Sequence, residues 1–252
     1  VAGLSKYKFT NILINGCSHS SGSEIIESGL GDHPENRKRS FGAKLANRLG
    51  VNKIDLSVPG ASNDYIARTT LFWILENPRR AKNTLFLIHW TGEHRTEMFY
   101  DTADDSINDV YDYVDYVPDK QAGHIHHDHS SKLFPLKFKN NLKVLQKHLY
   151  YNATHWYVQR YMNIIQTQAN ILNSGGTWIF GNAFQSCEIG GRYQFYRNKI
   201  DRTKFKNFDI SSESFWEHCK TAGFDITGQK YWHHKEDAHT YWSEKLFNDY
   251  FA

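Results

Sequence analysis

The clearest run of apolar positions lies near the start of the chain. Phe9-Thr10-Asn11-Ile12-Leu13-Ile14-Asn15 suits a short buried strand, and it stops at Gly16-Cys17-Ser18-His19-Ser20. A polar, glycine-containing stretch leads on to Ser40. The run from Phe41 to Gly50 then has apolar residues three and four apart before a glycine, which predicts a helix with a stop signal. Lys53 to Val58 alternates up to Pro59-Gly60 and predicts a second strand followed by a tight turn. Ser62 or Asn63 can cap the next helix, over residues 64–76, whose apolar face is Ile66, Leu71, Phe72, Ile74 and Leu75 and which Asn77-Pro78 closes. Thr84 to Trp90 follows almost at once as a third strand.

Short connections between alternating strands and helices predict parallel strands covered on both faces, because parallel neighbours need crossover connections. The expected class is α/β, a three-layer α/β/α sandwich around a central parallel sheet. Residues 96–140 break the rhythm with a tyrosine- and aspartate-rich segment and then a histidine cluster, and read as an insertion over the strand ends. Residues 141–173 read as helical, in one or two pieces, up to Ser174-Gly175-Gly176. Thr177 to Gly181 is a fourth strand, residues 212–222 a short helix capped by Ser211 or Ser212, and residues 236–250 the last helix. With no internal repeat and no shift in composition, the expectation is one domain over residues 1–252.

Composition narrows the class. A 40% hydrophobic and 15% aromatic chain of 252 residues can fill one core, and no stretch approaches the length of a membrane span. The first residues lack the apolar centre and small-residue cleavage site of a secretory signal. Cys17, Cys187 and Cys219 are odd in number and widely spaced, which favours a reducing compartment over a disulfide framework or a zinc site. Net charge is +3 with both signs interspersed, so nucleic acid is not an expected partner, and neither is a membrane.

The chemistry gathers where strands end. A buried strand stopping at Gly-x-Ser delivers the Ser18 hydroxyl to the carboxyl edge of the sheet, where open α/β folds bind ligands; the plain alternative is a helix-capping serine. Gly60 ends the second strand, where the missing side chain lets a backbone N–H approach an oxyanion. Trp90-Thr91-Gly92-Glu93-His94-Arg95 ends the third, and Tyr231 to His239 places several imidazoles before the last helix as general-base candidates.

Gly-x-Ser after the first strand, a glycine after the second and a histidine before the C-terminal helix resemble the SGNH (GDSL-type) hydrolases across nearly the whole chain. Gly-Cys-Ser-His with Pro-Gly-x-Ser-Asn-Asp is similar to bacteriophage-encoded members. The resemblance implies a flavodoxin-like topology and a serine esterase without cofactors. Ser18 would attack an acyl carbonyl, its N–H and that of Gly60 would hold the oxyanion, and a histidine would be the base. The preferred substrate is a carbohydrate O-acetyl ester, and the expected location is cytoplasmic or virion-associated. Laying the family's tail over this chain picks His233, but puts Lys230 where the orienting aspartate belongs. The other register, Glu236-Asp237-Ala238-His239, has its carboxylate but sets His239 within the helix. Asp225 is a further candidate for orienting His233. Cys17 replaces the usual aspartate, and the third oxyanion donor, an asparagine in the family, is absent from Thr91-Gly92-Glu93-His94. Asn63, Asn182, His94 or Arg95 would have to complete the hole. Loss of those groups also fits an impaired, carbohydrate-binding descendant.

Outside this constellation, His124 to His129 has the ligand types of a zinc or nickel site, against a plain reading as a solvated loop. Glu93, His94, Arg95 and Glu97 suit either substrate contacts or a surface ion-pair network. Aromatic residues such as Tyr111, Tyr157, Tyr196 and Trp232 can stack on sugars or simply pack.

Overall fold

The computed structural model describes residues 7–26, 33–92, 95–99, 113–116, 153–184, 194–206, 213–227 and 233–252, with backbone only for 96–99, 113–116 and 153–156. At its centre four parallel strands run in the order β2-β1-β3-β6: β2 is Asn52–Asp55, β1 Asn11–Asn15, β3 Thr84–Trp90 and β6 Thr177–Asn182. β1 and β3 are buried at every position, as the central strands of a sheet covered on both sides must be.

Alternation along each strand sorts the core into two layers. Leu13, Phe86, Ile88, Trp178 and Phe180 face one way, onto Ile66, Trp73 and Ile74 of α4 (Asn63–Glu76) and Tyr161, Ile164 and Ile171 of α6 (Ala153–Asn173). Ile12, Ile14, Leu85, Leu87 and Ile179 face the other way. They meet Phe41 and Leu45 of α3 (Phe41–Leu49), Phe215 of α8 (Phe215–Thr221) and Trp242 and Leu246 of α9 (Glu236–Tyr250). The fold is therefore α/β, a parallel sheet between two helical layers.

Caps set the helix starts. Ser40 accepts from Ala43 N at 3.4 Å ahead of α3, which Gly50 ends; Ser62 accepts from Tyr65 N at 3.1 Å ahead of α4. Ser214, rather than Ser211 or Ser212, caps α8, so that helix starts at Phe215. β2 is shorter than its alternation predicts. Beyond Asp55 the chain keeps only occasional bonds to β1, from Leu56 N to Ile14 O at 2.8 Å and from Val58 N to Gly16 O at 3.1 Å.

Smaller elements complete the frame: α1 (Ser18–Ser21), α2 (Pro34–Arg39), α5 (Pro78–Ala81) and α7 (Gln194–Arg197). β4 (Thr96–Phe99) pairs antiparallel with β5 (Tyr113–Tyr116) inside the expected insertion, and β7 (Ile226–Thr227) pairs antiparallel with β8 (His233–His234). Of the long helical stretch predicted from residue 141, α6 is the described part; residues 141–152 lie outside the described residues. No helix among the described residues is long and apolar enough to cross a membrane.

Candidate active site

Three strand ends and the approach to α9 meet at the carboxyl edge of the sheet. β1 is pinned there by Asn15. Its amide donates to Ile66 O at 3.1 Å, Thr69 Oγ1 at 2.9 Å and Thr70 Oγ1 at 3.0 Å, and its carbonyl accepts from Gly16 N at 2.9 Å. Gly16 turns with a φ of 154°, and a Cβ there would sit against Ser20 Oγ and 2.9 Å from the His89 carbonyl oxygen. Only glycine passes through this turn unstrained. Cys17 then buries its thiol in the core layer that contains Ala61 and Ile66, and Ser18 opens α1.

Ser18 is 7% exposed, and neither its Oγ nor its N–H is hydrogen-bonded among the described residues, while its carbonyl accepts from Ser21 Oγ and Ser23 N. It does not cap the helix; Cys17 holds that position.

His233, on β8, is brought beside α1. Its Nδ1 lies 2.9 Å from Glu24 Oε2, and its ring centroid lies 4.9 Å from that of His19, the neighbour of Ser18. An ionised carboxylate only accepts, so the neutral imidazole donates from Nδ1 and carries its lone pair on Nε2, the nitrogen a general base uses. Burial pushes the His233 pKa below the usual imidazole value; the Glu24 hydrogen bond and charge oppose that, and Arg95 and His234 add to the lowering. His19 is driven well below the ordinary value, first by its burial and then by His233, His239, Arg95 and His234. Its ring packs against Phe184 at 4.6 Å and Phe215 at 5.6 Å.

Glu24 is the residue that sequence reasoning missed. Neither expected acid takes its place. Asp225 is exposed, pairs with Lys235 at 3.5 Å and reaches a histidine only through its carbonyl oxygen, 3.4 Å from His234 Nδ1. Glu236 is held by Lys44 at 2.7 Å and Arg39 at 3.1 Å, and no imidazole pairs with it among the described residues. His239 itself is 1% exposed, stacked on Phe41, with Nδ1 accepting the Phe41 N–H at 3.2 Å; burial lowers its pKa to about 3. It is a core histidine that accepts the first N–H of α3.

Gly60 stands in an open turn with a φ of 85°, nothing within 4 Å of a Cβ and no acceptor for its N–H among the described residues. Asn63 is fully occupied in tying α4 to the end of β3: its amide donates to Thr91 O and Gly92 O at 3.2 and 3.3 Å, and its carbonyl accepts from Thr91 N at 2.9 Å. That removes it as an oxyanion donor. Asn182 accepts from Arg160 Nη2 at 2.6 Å, which leaves its amide N–H groups uncommitted among the described residues. Arg95 places its guanidinium 5.2 Å over the Phe184 ring.

Among the described residues no three histidine, cysteine or acidic side chains are grouped to hold a metal. The His124–His129 loop, Glu93, His94, Lys230 and Trp232 lie outside the described residues, as does the Glu97 side chain.

A family of unknown function (DUF6071) matches residues 25–251. No curated protein matches the chain. Among solved structures it is similar to the psychrotrophic esterase EstA from Pseudoalteromonas sp., in a structure inhibited by monoethylphosphonate, at 12% identity and a TM-score of 0.44 over 95% of each chain.

Proposed function

The chain belongs to that family of unknown function, DUF6071, and from its own residues we propose that it is an SGNH-type serine esterase. The Glu24–His233 contact carries this reading: a buried imidazole oriented through Nδ1 by a carboxylate, beside the short helix that Ser18 opens.

In the proposed reaction His233 Nε2 takes the Ser18 proton as Oγ bonds to the acyl carbon. The N–H groups of Ser18 and Gly60 receive the developing oxyanion. Collapse breaks the ester C–O bond and the alcohol leaves with the proton from His233. Water then hydrolyses the acyl-serine by the same steps in reverse, and no cofactor takes part. Because Ser18 is 7% exposed, the acyl group admitted is small, and an O-acetyl ester of a carbohydrate is the preferred substrate.

One observation favours a second reading, a binding protein on the same fold. Among the described residues Ser18 Oγ makes no hydrogen bond to an imidazole. Labelling by a fluorophosphonate together with phenyl acetate hydrolysis decides between them. The esterase is labelled and active, and Ser18→Ala abolishes labelling and lowers kcat by at least about 10³-fold. Folded wild-type protein that is neither labelled nor active establishes the binding reading.

A further inference from the structure

Arg95 follows the end of β3, where its N–H donates to Gly92 O at 3.3 Å. Its guanidinium carbon lies 5.2 Å over the ring of Phe184, whose centroid is 4.6 Å from that of His19, itself 4.9 Å from that of His233. Two rings, those of Phe184 and His19, thus stand between the cation and the proposed base. Among the described residues its buried Nε and Nη1 have no hydrogen-bond partner and no carboxylate pairs with it. Glu24, a described carboxylate on this edge, is bound to His233.

Burying guanidinium nitrogens without acceptors is costly, and because Nε and Nη1 lie on different edges of the guanidinium, a planar carboxylate meets one of them together with Nη2 in a bidentate pair. An incomplete ion pair beside a reactive centre therefore specifies the charge of what completes it. The positive charge already reaches the site, because Arg95 contributes to the lowered pKa of both His19 and His233.

We infer that Arg95 is a specificity-determining residue that receives a carboxylate on the alcohol half of the substrate, so that the preferred ester is an acetylated acid such as a sugar acid. The alcohol half is chosen because the proposed acyl group is acetyl, which has no room for a second charge. This rests on the esterase reading.

The test compares 4-acetoxybenzoate with phenyl acetate, a matched pair differing by one carboxylate, in wild type and Arg95→Gln. The expected result is that R95Q loses about 10- to 100-fold of the kcat/KM preference for the charged ester over phenyl acetate. An equal loss on both esters makes Arg95 an oxyanion donor or a structural residue and overturns the inference. A binding arm works without turnover: benzoate raises the wild-type Tm, the neutral isostere benzamide does not, and R95Q loses the benzoate shift. If wild type hydrolyses neither ester and takes no fluorophosphonate while that R95Q-sensitive shift persists, the esterase reading falls and the carboxylate site stands. A wild-type Tm indifferent to benzoate overturns the site even where Ser18 is catalytic. Should R95Q not fold, the wild-type comparison of benzoate with benzamide decides.

Discussion

At Glu24 the backbone adopts a φ of 63°, the only positive φ on a non-glycine among the described residues. Holding a side chain there costs about 1–3 kcal/mol, and such strain persists where the surroundings over-determine it; here the carboxylate is held against His233. Glu24→Gln keeps the shape and removes the charge. It should lower kcat by about 10²- to 10⁴-fold, because the ring loses its fixed tautomer and the imidazolium its counter-charge. Since Glu24 raises the His233 pKa against the lowering by burial, its removal moves the acid limb of the kcat/KM profile to lower pH, which a pH–rate profile reads directly. That Ser18 follows a strand and His233 precedes a helix could be read from the sequence. Glu24 could not: it sits in the polar run between Ser18 and Ser40 and joins a partner 209 positions away. Local spacing points instead to Glu236 and Asp225, whose carboxylates are both engaged by cations.

At the scale of elements, the turn from β1 into α1 decides where Ser18 stands. Gly16→Ala has no room for its methyl group between Ser20 and the His89 carbonyl, and its φ of 154° is unfavourable to any L side chain. The expected loss is about 2–4 kcal/mol of stability in urea unfolding, with fluorophosphonate labelling falling in parallel as α1 shifts. The elements legible from the sequence are those whose burial is periodic. β1, β3, β6, α3, α4 and α9 repeat every two or every three to four residues against one of two core layers. β7 and β8 are two residues each, too short for any period, yet β8 carries His233. α1 is four residues long, barely one turn, and its residues are serine and histidine throughout, so polarity hides a helix that is wholly buried.

Across the whole molecule, imidazoles are built into the layer between the sheet and α3, α8 and α9. His89 is fully buried with neither ring nitrogen hydrogen-bonded among the described residues, and burial lowers its pKa to about 3; His239 has the same value for the same main cause. Protonating His239 would also turn the acceptor of the Phe41 N–H into a donor. In the unfolded chain these groups titrate near the ordinary value of 6.5, so between about pH 6.5 and 3 the unfolded state binds more protons. Stability is then full above 6.5 and declines as pH falls, each group contributing at most about 1.4 kcal/mol per pH unit. Urea midpoints should hold from pH 7.5 to about 6.5 and drop from there to pH 5, and His89→Phe should flatten that slope. A midpoint constant over the same range would mean that the rings are hydrated.

The contact between Glu24 and His233 closes a loop of 209 positions, so no cut placed between those residues leaves a fragment holding both partners. During synthesis the hydroxyl leaves the ribosome long before the imidazole does. On the proposed esterase reading, the nascent polypeptide stays chemically silent until translation has passed residue 233, and prematurely terminated products inherit that silence.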